Sequence, residues 1–545
     1  MGDAQLSAET TISNFDMSAF YTKFLRDIRD SQEFLDSKGQ LPDCVPFYGH
    51  GGLPADPAWS AAYPFITNWV SEYYADDRVV ATHYDGVKAF MDSQTAQLDG
   101  QGVLSFARYG DWCSVADGAS TGVSWNRADI SHWHYTRGLD ITADFARKLG
   151  NAGDQAKYEA LAATARAKYL SVFYDAATHV FSDRKDDYPI SQMLALDLYG
   201  LVPDADRDAV FADLVLLINN GTHSGFPNAP SWGIIGQKVA YDVLTRGGRT
   251  DLALTVQLAR GMPSIDFWIE GSGPGTGATT LWENWQSTNF VPAGSYNHIM
   301  YGGFGKWLYS GVAGLSRAWG ARGWDRILIA PAAGAHPNVT SASASIDTLG
   351  GLISVDWTQK AASGGDCATA PENSNAVLTC VGAGGKSGLF TGVAFASFGT
   401  ASGSCPGPFA KGSCDAASSV AVVTAACVGK SQCSVPATNA AFGGDPCADV
   451  LKHLAVLMEG DCAVVKYAVS TQVPLGSVAD VVVSTMGAGA ASAVIYEGNA
   501  TVWASGAYVP GVDGVTGAEA AGNGNDVVVH TLSGRYAFKI VGDAA

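Results

Sequence analysis

Eight of the ten cysteines lie between Cys367 and Cys462, while the first 366 residues hold only Cys44 and Cys113. An even number at that density points to a module stapled by disulfides and made in an oxidising compartment. A stretch this short buries little core of its own, so covalent staples supply what packing cannot. A zinc site is the weaker reading, because the stretch has no paired C-x-x-C and almost no histidine. The module also interrupts something. Short alternating segments precede it at Ile327–Pro331 and Gly351–Trp357, and the same character resumes at Lys466–Pro474, Asp480–Ser484 and Arg535–Val541. One antiparallel β-sandwich, entered at about residue 323 and broken by an insertion between the Ala361–Asp366 linker and Val464, accounts for that order.

Upstream of Gly323 the period is different. Segments near 17–37, 60–75, 80–94, 128–149, 154–174, 189–200, 205–218, 232–246, 250–261 and 294–318 carry apolar residues at three- and four-residue spacing, which predicts helices. The loops between alternate helices are long and hold Trp, Asp and His, as in Phe47–Trp59, Arg108–Trp125 and Asp266–Asn289. Paired helices with one rim of long loops predict a toroid of helical hairpins carrying its function on that rim. A chain of 545 residues is too long for one core, and two to four domains are expected. With a net charge of −19, no basic stripe and no apolar run long enough to span a bilayer, nucleic acid and membrane are poor partners.

Glu283 is the residue that speaks most directly of chemistry. It stands in Gly277-Ala278-Thr279-Thr280-Leu281-Trp282-Glu283-Asn284-Trp285, a carboxylate between tryptophans after a glycine-rich turn. A carboxylate among apolar rings is partly desolvated and suited to proton transfer, and indole faces stack on the C–H faces of pyranose rings. The plainer alternative is a Glu at a helix start with its head in water. His132 and His134, in Ser131-His132-Trp133-His134-Tyr135, do not share a helix face and read as structural rather than as metal ligands.

Six motifs occur in order: Met1-Gly2-Asp3-Ala4-Gln5, Asp56-Pro57-Ala58-Trp59, Tyr109-Gly110-Asp111-Trp112, Gly248-Arg249-Thr250-Asp251-Leu252-Ala253, Gly277–Trp285 and Asn297-His298-Ile299-Met300-Tyr301-Gly302. Together they make residues 1–361 and 463–545 resemble glycoside hydrolase family 78 α-L-rhamnosidases, with their six-hairpin barrel and C-terminal β-sandwich. The resemblance implies that Glu283 is the general base of an inverting mechanism. It implies that Asp3, Asp56, Trp59, Asp111, Trp112 and His298 hold the rhamnose ring, and Trp282 is placed with them beside the base. The residues themselves offer no cofactor motif and no metal-ligand set, and calcium use stays open. Outside the family match, Asp56 and Asp111 would read as loop-turn residues and the tryptophans as core.

In that family the Gly-Asp-Ala stretch ends a longer motif, roughly D-x-x-x-R-x-E-R-x-G-W-x-G-D-A, whose Glu is the general acid. On this alignment that Glu falls about five residues before Met1, so this chain is expected to lack its general acid and to be severely impaired or inactive. The opening Met1–Glu9 also has neither the basic nor the apolar region of a signal peptide, so a chain lacking its beginning is expected.

The cysteine-rich stretch, with Glu372, Phe395–Thr400, Gly444-Asp445-Pro446-Cys447 and Lys452-His453-Leu454, is similar to SUEL-type galactose/rhamnose-binding lectin domains. That resemblance implies the pairs Cys367–Cys405, Cys380–Cys462, Cys414–Cys447 and Cys427–Cys433, and sugar contacts at Glu372, Asp445 and Lys452. A departure stands at Phe398-Gly399-Thr400, where the animal lectins have Tyr-Gly-Arg.

The expected architecture is therefore multidomain and mainly α: an (α/α) six-hairpin toroid over 1–322, an antiparallel β-sandwich from 323–361 plus 463–545, and a small disulfide-rich α/β lectin domain over 362–462. The expected function is release of terminal α-L-rhamnose from glycosides or polysaccharides by a secreted protein, with the lectin domain binding galactose- or rhamnose-bearing glycans. The alternative is a non-catalytic carbohydrate-binding protein on a degenerate barrel. Sequons at Asn220, Asn338 and Asn499 fit the secretory route.

Overall fold

The computed structural model describes residues 1–542 apart from 36–37, 50, 116–126, 184–187, 222–224, 272–276, 287–293, 360–365, 381–388, 404, 406–408 and 461–463. The chain divides into two compact units, Met1–Arg326 with Ile346–Leu349, and Ile327–Ser345 with Gly350–Ala545.

The first unit is helical. Its helices are α1 (Gly2–Asn14), α2 (Ser18–Phe34), α3 (Pro57–Ser60), α4 (Ala62–Tyr74), α5 (Arg78–Thr95), α6 (Ala128–Lys148), α7 (Ala152–Phe173), α8 (Ile190–Asp197), α9 (Arg207–Asn220), α10 (Ile234–Arg246), α11 (Thr250–Gln257) and α12 (Ile265–Glu270). Two burial patterns alternate along this series. Helix α6 buries 15 of its 21 residues, on nearly every face. Helix α7 buries Tyr158, Ala162, Ala165, Tyr169 and Phe173, a single stripe at three- and four-residue spacing. The same contrast separates α4 from α5 and α8 from α9. A helix apolar on one stripe covers a core, and one buried all round lies inside it.

Four helical expectations differ from what is found, two of them because α3 and α12 form in the stretches Phe47–Trp59 and Asp266–Asn289, which read as loops. Helix α1 begins at Gly2, well before the first predicted helix, so Asp3 lies in a helical first turn. The segment 294–318 forms no single α-helix: it is a 3₁₀ stretch (Ile299–Phe304), one α-turn (Gly305–Trp307), a π stretch (Leu308–Ala313) and a short strand (Leu315–Arg317). Its glycines explain both the break and its use. A Cβ on Gly305 would stand 2.4 Å from the Thr10 side chain, and one on Gly303 would stand 3.0 Å from the Leu6 carbonyl oxygen. Lost helical regularity is what admits α1 to this close contact.

The second unit is built of sheets. In its seven-stranded sheet, Val464–Val473 runs between Gly351–Gln359 and Gly534–Gly542, antiparallel to both. The register sets Val469 opposite Trp357 on one side and Phe538 on the other, all three fully buried. Such cross-strand rows are what fix a sheet's register. Val478–Val483, Val527–Thr531 and Val515–Ala520 are consecutive neighbours in a five-stranded sheet.

The cysteine-rich stretch has its own elements. His453–Gly460 lies between Cys367–Pro371 and Phe390–Gly399, and Asn375–Thr379 pairs with Gln432–Pro436. These strands and the helix Ser419–Cys427 close over a core that includes Leu378, Phe398, Val423, Val435, Leu454 and Val456. Disulfides join Cys367 to Cys405, Cys414 to Cys447 and Cys427 to Cys433. Cys462, expected to pair with Cys380, lies outside the described residues.

Candidate functional site

Glu283 lies in a loop whose backbone pairs with a second one: its N–H donates to the Ser295 carbonyl at 2.9 Å, and the His298 N–H donates to Leu281 at 2.8 Å. This short ladder brings the Trp-flanked motif and the His298 motif together. The Glu283 carboxylate is then held from three directions. The Trp112 indole N–H donates to Oε1 at 3.2 Å, the Ser295 backbone N–H donates to Oε2 at 2.7 Å, and His298 Nδ1 stands 3.5 Å from Oε2. The other ring nitrogen of His298 is 3.3 Å from the Asp3 carboxylate. Gly294 (φ +103°) presses on the same carboxylate, since a Cβ there would lie 2.5 Å from Oε2.

His298 therefore sits between two carboxylates. Its bond to Asp3, followed by that to Glu283, raises the imidazole to about 9 against a burial penalty. The same His298 bond, aided by Ser295 and Trp112, holds Glu283 down at about 2 although desolvation pushes the other way. At neutral pH the site contains an imidazolium donating from both nitrogens and an ionised Glu283. Glu283 can accept a proton there, and cannot donate one.

An aromatic wall completes the arrangement. The Trp112 ring meets Tyr109 edge-on at 5.9 Å, Tyr109 packs on Trp59 at 4.7 Å, and Trp59 lies against Gly2, where a Cβ would come within 2.5 Å of the indole. Gly2 is the neighbour of Asp3, so contacts run around a closed circuit: Asp3, His298, Glu283, Trp112, Tyr109, Trp59 and Gly2. Trp59 and Trp112 are half-buried, and the Asp3 side chain is 46% exposed.

Asp56 and Asp111 stand behind this circuit. Asp56, 1% exposed, caps α3 through the N–H groups of Ala58 (2.8 Å) and Trp59 (3.3 Å) with one oxygen. Its other oxygen accepts from the backbone of Arg108 (2.6 Å) and Tyr109 (3.0 Å). Asp111, fully buried, accepts from the Tyr188 hydroxyl at 2.5 Å and from the N–H groups of Gly233, Ile235 and Gly236 at the start of α10. Each carboxylate fastens the loop that carries a wall residue. Trp282 is buried against Trp268 and Tyr296, and Trp285 stacks on Trp268 at 4.8 Å while donating to the Trp232 carbonyl. His132 and His134 are core: His132 accepts from the Leu104 N–H and lies 3.0 Å from the Ala165 carbonyl, and His134 lies 2.8 Å from that of Ile130. Burial lowers both to about 4.

Sequence reasoning gave no role to Tyr109, Gly294, Ser295 or Asp43. Asp43 is fully buried, receives the N–H of Gly52 and of Asp56, and pairs with Arg108, so it organises the loop before α3. The first was legible as the start of the Tyr109–Trp112 motif; a contributor through its backbone alone, such as Ser295, leaves no side-chain signal.

In the cysteine-rich stretch, His453 pairs with both Pro371 and Gly399, which brings Glu372, Lys452 and Thr400 to one end of the sheet. The Lys452 ammonium is 3.4 Å from Glu372 and 3.1 Å from Asp445, and donates to the Val450 carbonyl at 2.8 Å. Lys452 holds Asp445 below the usual carboxylate range. Phe398 faces the core, stacked on Phe442 at 4.6 Å.

Three comparisons place these features. Residues 1–312 match the bacterial alpha-L-rhamnosidase 6 hairpin glycosidase domain, residues 314–387 the bacterial alpha-L-rhamnosidase C-terminal domain, and residues 385–460 the D-galactoside/L-rhamnose binding SUEL lectin domain. An alpha-L-rhamnosidase of Streptomyces avermitilis is 30% identical over 371 residues, covering 66% of this chain and 32% of that protein. Beta-galactosidase 6 of Oryza sativa subsp. japonica is 47% identical over 68 residues, 12% of this chain and 8% of that one. The solved structure of alpha-L-rhamnosidase from Dictyoglumus thermophilum superposes with a TM-score of 0.69 at 23% identity, covering 99% of this chain and 45% of that one, and shares its fold. The chain thus spans about a third of the length of the curated rhamnosidases it matches. With the first of these matches covering more than half of its residues, the chain belongs to the family of bacterial α-L-rhamnosidase six-hairpin glycosidase domains.

Proposed function

We propose that this chain carries the catalytic barrel of an inverting α-L-rhamnosidase, with Glu283 as the base that deprotonates the attacking water. The observation that supports it is the circuit around Glu283: an ionised carboxylate, an imidazolium, a second carboxylate and half-buried indoles converge on one rim. Asp3 and His298 would bind ring hydroxyls, and Trp59 and Trp112 would face the C–H surface and methyl group of rhamnose. Asp56, Asp111 and Trp282 serve the same ring indirectly, by fixing the loops and the aromatic backing. Substrate hydroxyls that compete for His298 would relieve its hold on Glu283 and raise its basicity as the site fills.

The architecture we infer is a six-hairpin (α/α) toroid over 1–322 and a β-sandwich from 323–361 plus 463–545, interrupted by a lectin domain over 362–462. Glu372, Asp445 and Lys452 are its sugar-contacting residues, and galactose- or rhamnose-bearing glycans its ligands. Such a module raises local substrate concentration without altering the chemistry. Disulfides and exposed sequon asparagines at Asn338 and Asn499 support secretion.

Proton NMR during turnover of a dinitrophenyl α-L-rhamnoside, whose leaving group needs no general acid, tests the stereochemistry. Inversion releases β-L-rhamnose first, which then mutarotates; first appearance of the α anomer overturns the inverting assignment.

A further inference from the structure

Tyr199 and Trp319 take no part in either sugar site above, yet they form an unusual pair. Trp319 is 89% and Tyr199 81% exposed, and their rings stand 6.5 Å apart at 39°. Bare aromatic rings cost solvation, and each of these is held out on a braced turn. Arg317 donates to the carbonyls of Ala321 and Gly323 and pairs with Glu72, which closes the 318–323 turn beneath Trp319. Gly320 (φ +70°) lets that turn reverse. On the other side, Arg166 reaches the Tyr199 carbonyl at 3.4 Å while forked onto Asp140 at 2.9 and 2.6 Å. Leu198 and Leu201 anchor the Tyr199 turn in the core. Asp197, two residues before Tyr199, pairs with Arg246 at 2.5 Å.

We propose that Tyr199 and Trp319 form a further carbohydrate-binding platform on the helical unit, taking a pyranose chain of a polysaccharide. Two rigid amphipathic rings set about one sugar apart, in a polar surround of paired Arg and Asp, match alternating C–H faces and hydroxyl edges. A protein partner or membrane would call for a contiguous apolar patch of several hundred Å². Here the neighbours Asp197, Gly200, Gly320 and Arg322 break the surface, and a net charge of −19 disfavours anionic lipid.

The test is affinity electrophoresis of the full chain through gels containing a neutral galactan, with Glu283→Gln present throughout to prevent degradation. Y199A/W319A should lose retardation by roughly tenfold in apparent affinity, and should do so equally in a Lys452→Ala background, which separates the platform from the lectin residues. Both positions are exposed, so the fold should survive, with circular dichroism as the check. Unchanged retardation overturns the proposal. So does a wild-type dimer in sedimentation that the double substitution dissolves, because the pair would then be a contact between copies. The proposal leans on the carbohydrate reading above, but the two fail separately: Y199A/W319A should leave hydrolysis of a small aryl rhamnoside unchanged, and pair-dependent retardation in a chain that cleaves no rhamnoside would retain the platform and remove the rhamnosidase.

Discussion

Replacing His298 with Gln removes the imidazolium between Asp3 and Glu283 and leaves Glu283 its bonds from Ser295 and Trp112. Glu283 should then rise from about 2 toward its ordinary 4.5. At 1.36 kcal/mol per unit, a full return would correspond to about 3 kcal/mol. The raised His298 and the depressed Glu283 record the same imidazolium, so that figure is counted once. The pH dependence has a definite sign. His298 rises from 6.5 to about 9, so its contribution is complete below pH 6.5 and is lost as pH climbs through 9. Glu283 falls from 4.5 to about 2, so its contribution is complete above pH 4.5 and is lost as pH drops through 2. The stability gap between wild type and His298→Gln should therefore be widest between pH 4.5 and 6.5. Calorimetry of the helical unit's transition from pH 3 to 10 should show a gap of several degrees there, shrinking toward both ends. A gap that stays constant from pH 5 to 10 would refute the ion-pair account and leave His298 a packing residue.

Gly294→Ala should cut turnover at least 100-fold while costing the fold only about 1–2 kcal/mol, because the new methyl collides with the Glu283 carboxylate and φ is +103°; kinetics beside urea denaturation separate the two effects. Asp56→Ala should destabilise the helical unit by about 2–4 kcal/mol in the same denaturation assay, since four backbone N–H groups lose their buried acceptor. Reducing agent should unfold the cysteine-rich stretch, where disulfides spanning 38 and 33 residues contribute about 3–4 kcal/mol each, with the far-ultraviolet helical signal nearly unchanged; one joint transition would contradict the nested arrangement.

Much of the architecture was legible because two periodicities meet near residue 323. Three- and four-residue spacing marks helices α2 and α4 through α11, and alternation marks the strands that hold Trp357 and Val469. Helix α1 is not legible because its first residues read as a signature motif, and 294–318 reads as one helix because its apolar spacing is helical while its glycines serve contact with α1. In the site, residue type was legible and side-chain direction was not. Trp112 gives its N–H to Glu283 and Trp282 turns into the aromatic core, although both are tryptophans in signature motifs. Asp3 and Asp56 were likewise indistinguishable as letters, but one carboxylate is half-exposed beside His298 and the other is spent on four amides. Only tertiary packing separates such pairs.

The central claim is that Glu283 activates water, and a dinitrophenyl α-L-rhamnoside tests it most directly because that leaving group departs without a general acid. The wild-type chain should hydrolyse it, and Glu283→Gln should lower the rate by roughly 10²–10⁴ with no change in thermal stability beyond a few degrees. Azide added to Glu283→Ala should restore turnover by yielding the inverted glycosyl azide. Hydrolysis by Glu283→Gln at the wild-type rate would contradict the account.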